Sequence, residues 1–374
     1  MKIAVNTRLL LKDKLEGIGW FTFETLKRIT KQHPEHQFYF LFDRKFDEEF
    51  IFSGNITPLI IPPPARHPFL YITWFGLSIP LVLRSVKPDL FFSPDGFLPL
   101  SGNTKSLAVI HDLNFEHYPE DLPLLTRLYY QKYFPKFAAK ASRIATVSEF
   151  SKADIIKTYG ASPEKIDVVY NGANDFYKPI LVRRQQQTRA IYAKGKPYFL
   201  FIGALHPRKN LANLFAAFDC FKKETGLDTM LMIVGQKKWW TADIENAYKA
   251  VSSKEDIIFT GRLSTIELKN VLASALALTY VSIFEGFGIP ILEGMYCDTP
   301  VIASNITSMP EVGGDAVYSV DPFSVESIKN GMLAIAKDPA LREKLIARGR
   351  ERRNLFTWQK TAEKLWTSVE KVIY

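Results

Sequence analysis

At 374 residues, with 47% hydrophobic and 23% charged side chains, the chain has the composition of a folded globular protein, which excludes intrinsic disorder and collagen-like repetition. Its length exceeds one ordinary core and predicts two large lobes. A formal charge of +9 favours an anionic partner, be it nucleic acid, acidic lipid or a phosphorylated small molecule, and two cysteines, Cys220 and Cys297, are too few for a disulfide framework or a Cys-based zinc site. A reducing cytoplasm is the setting expected from that cysteine usage.

In chain order, the opening MKIAVNTRLL alternates apolar and polar residues as a strand does and lacks the apolar run of a signal peptide. Strands are predicted over 2–6, 37–42, 56–61, 89–93, 106–110, 143–147 and 166–169, separated by amphipathic helices. One such helix covers 20–31, with Phe21, Phe23, Leu26 and Ile29 along one side. Residues 170–197 are polar and basic without a clear period and read as a connection. A second alternating series begins near residue 197 with PYFLFIG and runs through NLFAAFDCFKKETG, TMLMIVG, DIENAYKAVSS, DIIFTG, STIELKNVLASAL and ALTYVS to TPVIAS. The predicted division is an N-terminal α/β domain over 1–178, a linker over 179–196 and a second α/β domain over 197–356. The amphipathic segment 357–374 is expected to pack back on the first domain. The apolar stretches 68–83 and 271–284 fall short of the roughly 20 residues a spanning helix needs, so no transmembrane segment is predicted. Core packing is the simpler account of 68–83, and attachment to the surface of an anionic membrane is the alternative.

Four short segments carry the candidate chemistry. In SIFEGFGIPILEGM, residues 282–295, a buried strand gives way to a glycine loop, and Pro290 suits the first turn of a new helix. Glu293 is placed in that first turn and Glu285 on the loop before it. The amides of Phe287 and Gly288, with the helix N-terminus, suit a phosphate, which leaves the two carboxylates for hydroxyl groups. The plainer alternative makes Glu293 a complement to the helix dipole and Glu285 a solvated loop acid. In FIGALHPRKNLANLF, residues 201–215, Gly203 ends a strand, Asn210 can cap the next helix, and Arg208 and Lys209 suit a diphosphate, unless they form only a solvated basic turn. In EGIGWF, residues 16–21, Gly17 and Gly19 can admit a phosphate or sugar near the backbone, or serve only as a turn, and neither a dinucleotide fingerprint nor a P-loop is present. In SLAVIHDLNF, residues 106–115, a buried strand ends at His111 and Asp112, where the imidazole meets a sugar hydroxyl or has a structural role. No metal-ligand spacing is evident.

Taken together, GIGWF, VIHDL, VSEFSKADI (147–155), VVYNGANDFYKP (168–179), FIGALHPRKNL, IFEGFGIPILEGM and TPVIASNITSMPEVGGDAVYSVDP (299–322) make the chain resemble the retaining glycosyltransferases of the GT-B fold, family 4, over nearly its whole length. The resemblance implies two Rossmann-like domains facing across a deep cleft. It also implies transfer of a hexose, mannose favoured, from a nucleotide-diphosphate sugar such as GDP-mannose or a UDP-sugar to a glycan or lipid-linked saccharide. No cofactor or metal is expected, and the anionic partner becomes the nucleotide sugar and not nucleic acid. The place implied is the cytoplasm, or the inner face of the cell membrane. By resemblance His111, Glu285 and Lys209 are catalytic: Glu285 bonds the hydroxyls of the transferred sugar, Lys209 assisted by Arg208 neutralises the leaving diphosphate, and His111 lies near the anomeric centre. Glu293 holds the ribose, Gly286, Phe287 and Gly288 meet sugar or phosphate, and Gly17, on the GIGWF loop with Gly19, approaches the phosphates. Two positions depart from many relatives: Ala204 stands where an arginine is common, and Asp298 where a glycine is common. A non-hydrolysing nucleotide-sugar epimerase and a catalytically silent carbohydrate-binding subunit share the fold and are the alternatives.

Overall fold

In the computed structural model, which describes residues 1–374, the chain divides into two units, Met1–Asn171 with Trp358–Tyr374, and Gly172–Thr357. The first contains β1 (Lys2–Asn6), α1 (Gly17–Gln32), β2 (Gln37–Phe42), β3 (Ile56–Ile60) and α2 (Pro68–Thr73). A π-helical turn, Trp74–Ser78, carries α2 into α3 (Ile79–Val86). Then come β4 (Leu90–Ser93), β5 (Ser106–Val109), α4 (Asn114–His117), α5 (Leu124–Lys140), β6 (Arg143–Thr146), α6 (Glu149–Tyr159) and β7 (Ile166–Val168). The second unit contains α7 (Val182–Ala193), β8 (Tyr198–Ile202), α8 (Leu211–Thr225), β9 (Met230–Val234), α9 (Ala242–Ala250), β10 (Ile257–Gly261) and α10 (Thr265–Ser274). It continues with β11 (Ala277–Tyr280), α11 (Ile289–Tyr296), β12 (Val301–Ser304), α12 (Met309–Gly313), β13 (Tyr318–Val320), α13 (Val325–Lys337) and α14 (Pro339–Arg352), before α15 (Trp358–Ile373) returns to the first.

Both sheets are wholly parallel, with strand orders β3-β2-β1-β4-β5-β6-β7 and β10-β9-β8-β11-β12-β13. Right-handed crossovers force helices onto both faces, so the central strands are apolar throughout: β8, YFLFI, and β9, MLMIV, are buried at every position. Strand order reverses once in each sheet, between β1 and β4 and between β8 and β11. The loops leaving those paired strands diverge to opposite faces, which opens a crevice at the carboxyl edge.

Two readings of the sequence are corrected here. Residues 182–193, placed in the linker, form α7, where Gln185 donates to the Ala273 carbonyl at 3.0 Å and Arg189 to that of Ser274 at 2.9 Å, both at the end of α10. The stretch lacks an apolar stripe yet contains only residues that a helix tolerates, and tertiary hydrogen bonds supply what periodicity does not show. Residues 68–83 are only half a core element: Trp74, Phe75, Ile79 and Leu83 are buried, but Phe69, Ile72, Leu77 and Leu81 are exposed. With residues 84–86 they make a continuous helix of 19 residues, long and apolar enough to cross a membrane by length and composition. Asp298 has a left-handed φ of 55°, a conformation that favours glycine, and pairs bidentately with Arg350 at 2.6 and 3.0 Å.

The closing helix α15 is held through its apolar stripe: Ala362 and Leu365 are fully buried, Trp366 stacks on His33 at 3.7 Å, and Thr361 donates to the Tyr170 carbonyl at 2.6 Å. Leu365→Ala removes a methyl-rich side chain from this packed seam and is expected to destabilise the first unit by about 2–5 kcal/mol. Denaturant unfolding followed by probes in each unit checks this: a shift confined to the Gly172–Thr357 unit, or none, contradicts the seam.

Candidate functional site

The site of the second unit is built at its strand-order reversal. After β8 the chain passes Gly203, with φ +148°, into a 3₁₀ turn, Pro207–Lys209, whose first amide, that of Arg208, donates to His206 Nδ1 at 3.3 Å. Burial first, and then the positive charges of Arg208 and Lys209, push the His206 pKa down to about 4, so the ring is neutral and serves as a cap. Asn210 does not cap α8 through its side chain as the sequence suggested. It takes a left-handed φ of 63°, and its amide donates to the carbonyls of Val281 at 3.0 Å and Pro322 at 2.7 Å. The backbone amide of Ile283 donates to the Arg208 carbonyl at 2.8 Å. The loops after β8, β11 and β13 are thereby bound to one another.

This stitching sets Arg208 and Lys209 against Glu285. The Lys209 ammonium donates to Glu285 Oε1 and, at 3.2 Å, to the Tyr280 hydroxyl, while Arg208 Nη1 lies 3.3 Å from Glu285 Oε2 and donates to the Phe284 carbonyl at 3.0 Å. Glu285 is 7% exposed and Lys209 9%. Burial by itself raises a carboxyl pKa, but the charges of Lys209 and Arg208 outweigh it and hold Glu285 down at about 2. Tyr280 is pushed well above its ordinary value, by burial first and then by Glu285, and remains a neutral hydroxyl. Neither the solvated acid nor the solvated basic turn describes these residues. Two cations, Lys209 buried and Arg208 half-buried, thus face the one carboxylate of Glu285.

The loop Gly286–Gly288 is buried and leads into α11 through Gly288, whose φ is +98° and at which a Cβ would meet Ile291 at 3.2 Å and Tyr280 at 3.4 Å. Phe287 is anchored edge-on against Phe356, 5.7 Å between centroids. Ser308 holds the Glu285 carbonyl at 2.9 Å, and Ser304 that of Ser282 at 2.6 Å. Pro290 occupies the first turn of α11, as its missing N–H favours. Glu293 lies beyond that turn, because the helix begins at Ile289. It is partly buried, accepts a hydrogen bond from Tyr177, and has its pKa raised by burial to about 7. It does not act as a complement to the dipole.

In the first unit the corresponding reversal is filled by Arg8 and Asp95, paired at 2.6 Å and both buried. His111, after β5, has its Nε2 2.8 Å from the Pro94 carbonyl. A carbonyl only accepts, so Nε2 carries the proton, and burial keeps the ring neutral by lowering its pKa; Nδ1 is the acceptor nitrogen. Phe21 lies edge-on to the ring at 4.9 Å. Asp112 caps the next turn by accepting from the Asn114 amide at 3.0 Å. Gly17 is the first residue of α1 and a Cβ there would meet nothing within 4 Å, so the protein's own packing gives no reason for glycine. At Gly19 a Cβ would lie 3.1 Å from the Leu9 carbonyl oxygen, so packing explains that glycine. The structure thus brings together Arg208, Lys209, Glu285 and the Gly286–Gly288 loop within one unit, with Glu293 on the helix that follows. His111, Gly17 and Gly19 belong to the other. Sequence reasoning missed Tyr280, Tyr177, His206 and Ser308. The position of His206 just before Pro207 at a helical start was the one signal available for any of them.

The family model described as Glycosyltransferase Family 4 matches residues 15–175, and that described as Glycosyl transferases group 1 matches residues 183–352. The chain belongs to glycosyltransferase family 4. It is similar to the O-antigen chain mannosyltransferase B of Escherichia coli, 29% identical over 96% of this chain and 97% of that one. Among solved structures it is similar in fold to a sucrose-phosphate synthase from Thermosynechococcus elongatus, with a TM-score of 0.78 at 18% identity over 99% and 98% of the two chains. It is likewise similar in fold to Anabaena HepE in complex with UDP-glucose, with a TM-score of 0.76 at 15% identity over 99% and 100%. The fold is GT-B and the protein is a glycosyltransferase, so the epimerase and silent-subunit alternatives fall away.

The two acids have opposite pH signatures. Glu285 contributes stability above its unfolded pKa that is lost as pH falls through about 2, whereas Glu293 contributes stability below its unfolded pKa that is lost as pH rises through about 7. Glu293→Gln is therefore expected to flatten the decline in melting temperature between about pH 5 and 8 relative to the unmutated protein. Parallel curves for the two proteins contradict a protonated native Glu293.

Proposed function

We propose that this glycosyltransferase moves a mannosyl group from GDP-mannose, with retention of anomeric configuration, to a hydroxyl of a glycan or lipid-linked saccharide in cell-surface polysaccharide synthesis on the cytoplasmic side. The similarity to a protein named as an O-antigen chain mannosyltransferase over nearly both whole chains supports the sugar and the setting. The observation that carries the chemistry is the Arg208–Glu285–Lys209 cluster at the strand-order reversal, with Glu285 and Lys209 buried.

In this reading each charge has one task. Departure of the nucleoside diphosphate develops negative charge, and buried Lys209 and half-buried Arg208, both already oriented, stabilise it without reorganisation. Glu285, ionised and therefore acceptor-only, takes hydrogen bonds from hydroxyls of the transferred sugar. Glu293 and Tyr177 receive the ribose, and the Gly286–Gly288 loop admits the phosphate close to the backbone. In the first unit the start of α1 at Gly17 is open to a phosphate, and His111 offers Nδ1 as an acceptor to a sugar hydroxyl. Retention follows from same-face attack, with the acceptor proton passing to the departing phosphate, which spares the protein a separate base.

Glu285→Gln and Lys209→Met are each expected to lower kcat about 10²–10³-fold with the fold retained. Thermal-shift screening of GDP-mannose against UDP-sugars, followed by NMR of the new glycosidic centre, tests donor and stereochemistry together. Unchanged turnover in either variant, stabilisation by UDP-sugars alone, or an inverted product each overturns the corresponding assignment.

A further inference from the structure

We propose that His33, Glu35 and His36, in the turn between α1 and β2, form a site for Zn²⁺ that fixes the seat of the closing helix α15. The backbone of this turn is already set. The His33 amide ends α1 by donating to the Ile29 carbonyl at 3.0 Å, and the His36 amide closes a turn on the His33 carbonyl at 3.2 Å, around Pro34. The side-chain amide of Asn55, the residue before β3, donates to the carbonyls of Thr30, His33 and His36 at 3.1, 3.1 and 2.9 Å. The three candidate ligands therefore project from a segment held on both sides.

The donor atoms match the geometry of the ion. His36 Nε2 lies 3.2 Å and His33 Nδ1 3.7 Å from Glu35 Oε1, and one donor atom of each residue falls within 4.8 Å of the other two. Imidazole nitrogen and carboxylate oxygen bind Zn²⁺ at about 2.0–2.2 Å, which sets neighbouring donors of a tetrahedral site about 3.3 Å apart. Two edges of the donor triangle are near that length, and the third closes by at most about 1.5 Å, the difference between 4.8 and 3.3 Å. Two imidazoles and one carboxylate are a zinc donor set with a position left for water, whereas Ca²⁺ and Mg²⁺ take oxygen ligands. Ring stacking accounts for the two histidines but not for Glu35, whose side chain is 59% exposed and yet sets its carboxylate against both rings.

The site reaches α15 through Trp366. Its indole stacks on His33 at 3.7 Å and on His36 at 5.2 Å, the two imidazoles lie 5° from parallel, and the indole N–H donates to Glu370 on α15 at 3.1 Å. The other nitrogen of His36, Nδ1, is 3.3 Å from the Met1 nitrogen, which leaves Nε2 for the metal. A bound ion fixes both rings beneath the indole and so stiffens the contact between α15 and the rest of the first unit. The turn joins the end of α1 to the start of β2, at the amino edge of the parallel sheet, whereas His111 and Gly17 lie at its carboxyl edge. The ion is therefore structural and takes no part in transfer. Because a turn brings the three residues together, and not the period of a helix or strand, HPEH does not stand out as a ligand motif in the sequence.

Metal titration of the full chain, carrying no affinity tag and first treated with EDTA, tests the site. Zn²⁺ is expected to bind saturably and to raise the melting temperature, and EDTA to reverse the rise. Co²⁺ in its place is expected to give visible d–d bands and to quench the emission of Trp366. Glu35→Gln, at a mostly exposed side chain, is expected to lower Zn²⁺ affinity at least about tenfold while the melting temperature in EDTA is unchanged. Trp366→Phe is expected to keep Co²⁺ binding and to lose most of the quench, which a metal bound elsewhere does not do. Absence of saturable Zn²⁺ binding, equal affinity in Glu35→Gln, or an undiminished quench in Trp366→Phe overturns the proposal, and the turn is then only a stacking seat for α15.

Discussion

The ionisation of Glu285 depends on one spatial relation, the register of the loops after β8 and β11. A buried carboxylate ionises only where opposite charge outweighs its lost hydration, and Lys209 with Arg208 does so here. That balance requires loops separated by more than seventy residues to hold their positions closely, which Asn210, Ile283 and the Arg208 carbonyl accomplish by direct hydrogen bonds. Breaking one partner of such a cluster leaves an uncompensated buried charge, a loss of about 3–5 kcal/mol in comparable pairs. A donor site placed here is therefore also part of what keeps the second unit together.

The first unit meets the same topological problem with a different solution. Its strand order also reverses once, and a buried Arg8–Asp95 pair fills the crevice. There the guanidinium is covered by Tyr71, Phe75 and Phe97, so the pair is structural, and the polar positions shift to His111 on the next strand. Both crevices follow from parallel strands with right-handed crossovers, and local side chains decide which of them receives charge.

Much of this was legible in the chain. Strand positions followed from short apolar runs between turn residues, since a parallel strand buried on both faces shows its burial in composition alone. The loops holding Arg208, Lys209 and Glu285 were visible because glycine and proline punctuate them and because an apolar strand precedes each. The misses share a cause. Helix 182–193 draws its support from carbonyls of α10, Asn210 spends its amide on distant carbonyls in place of a cap, and the exposure of Leu77 and Leu81 depends on which side of a helix faces the core. Periodicity records none of these, because each partner is remote in sequence.

The sequence by itself determined the alternation of strands and helices, the GT-B resemblance and the residue types at the loop ends, since these rest on local apolar pattern and backbone preference. Only the tertiary structure decided that Glu285 is ionised while Glu293 titrates near 7, that His111 carries its proton on Nε2, and that the apolar helix at 68–86 turns one side outward. Protonation state and exposure are set by what surrounds a group in space. Lys209 lies 76 residues from Glu285, yet the sheet's order makes it the nearest charge.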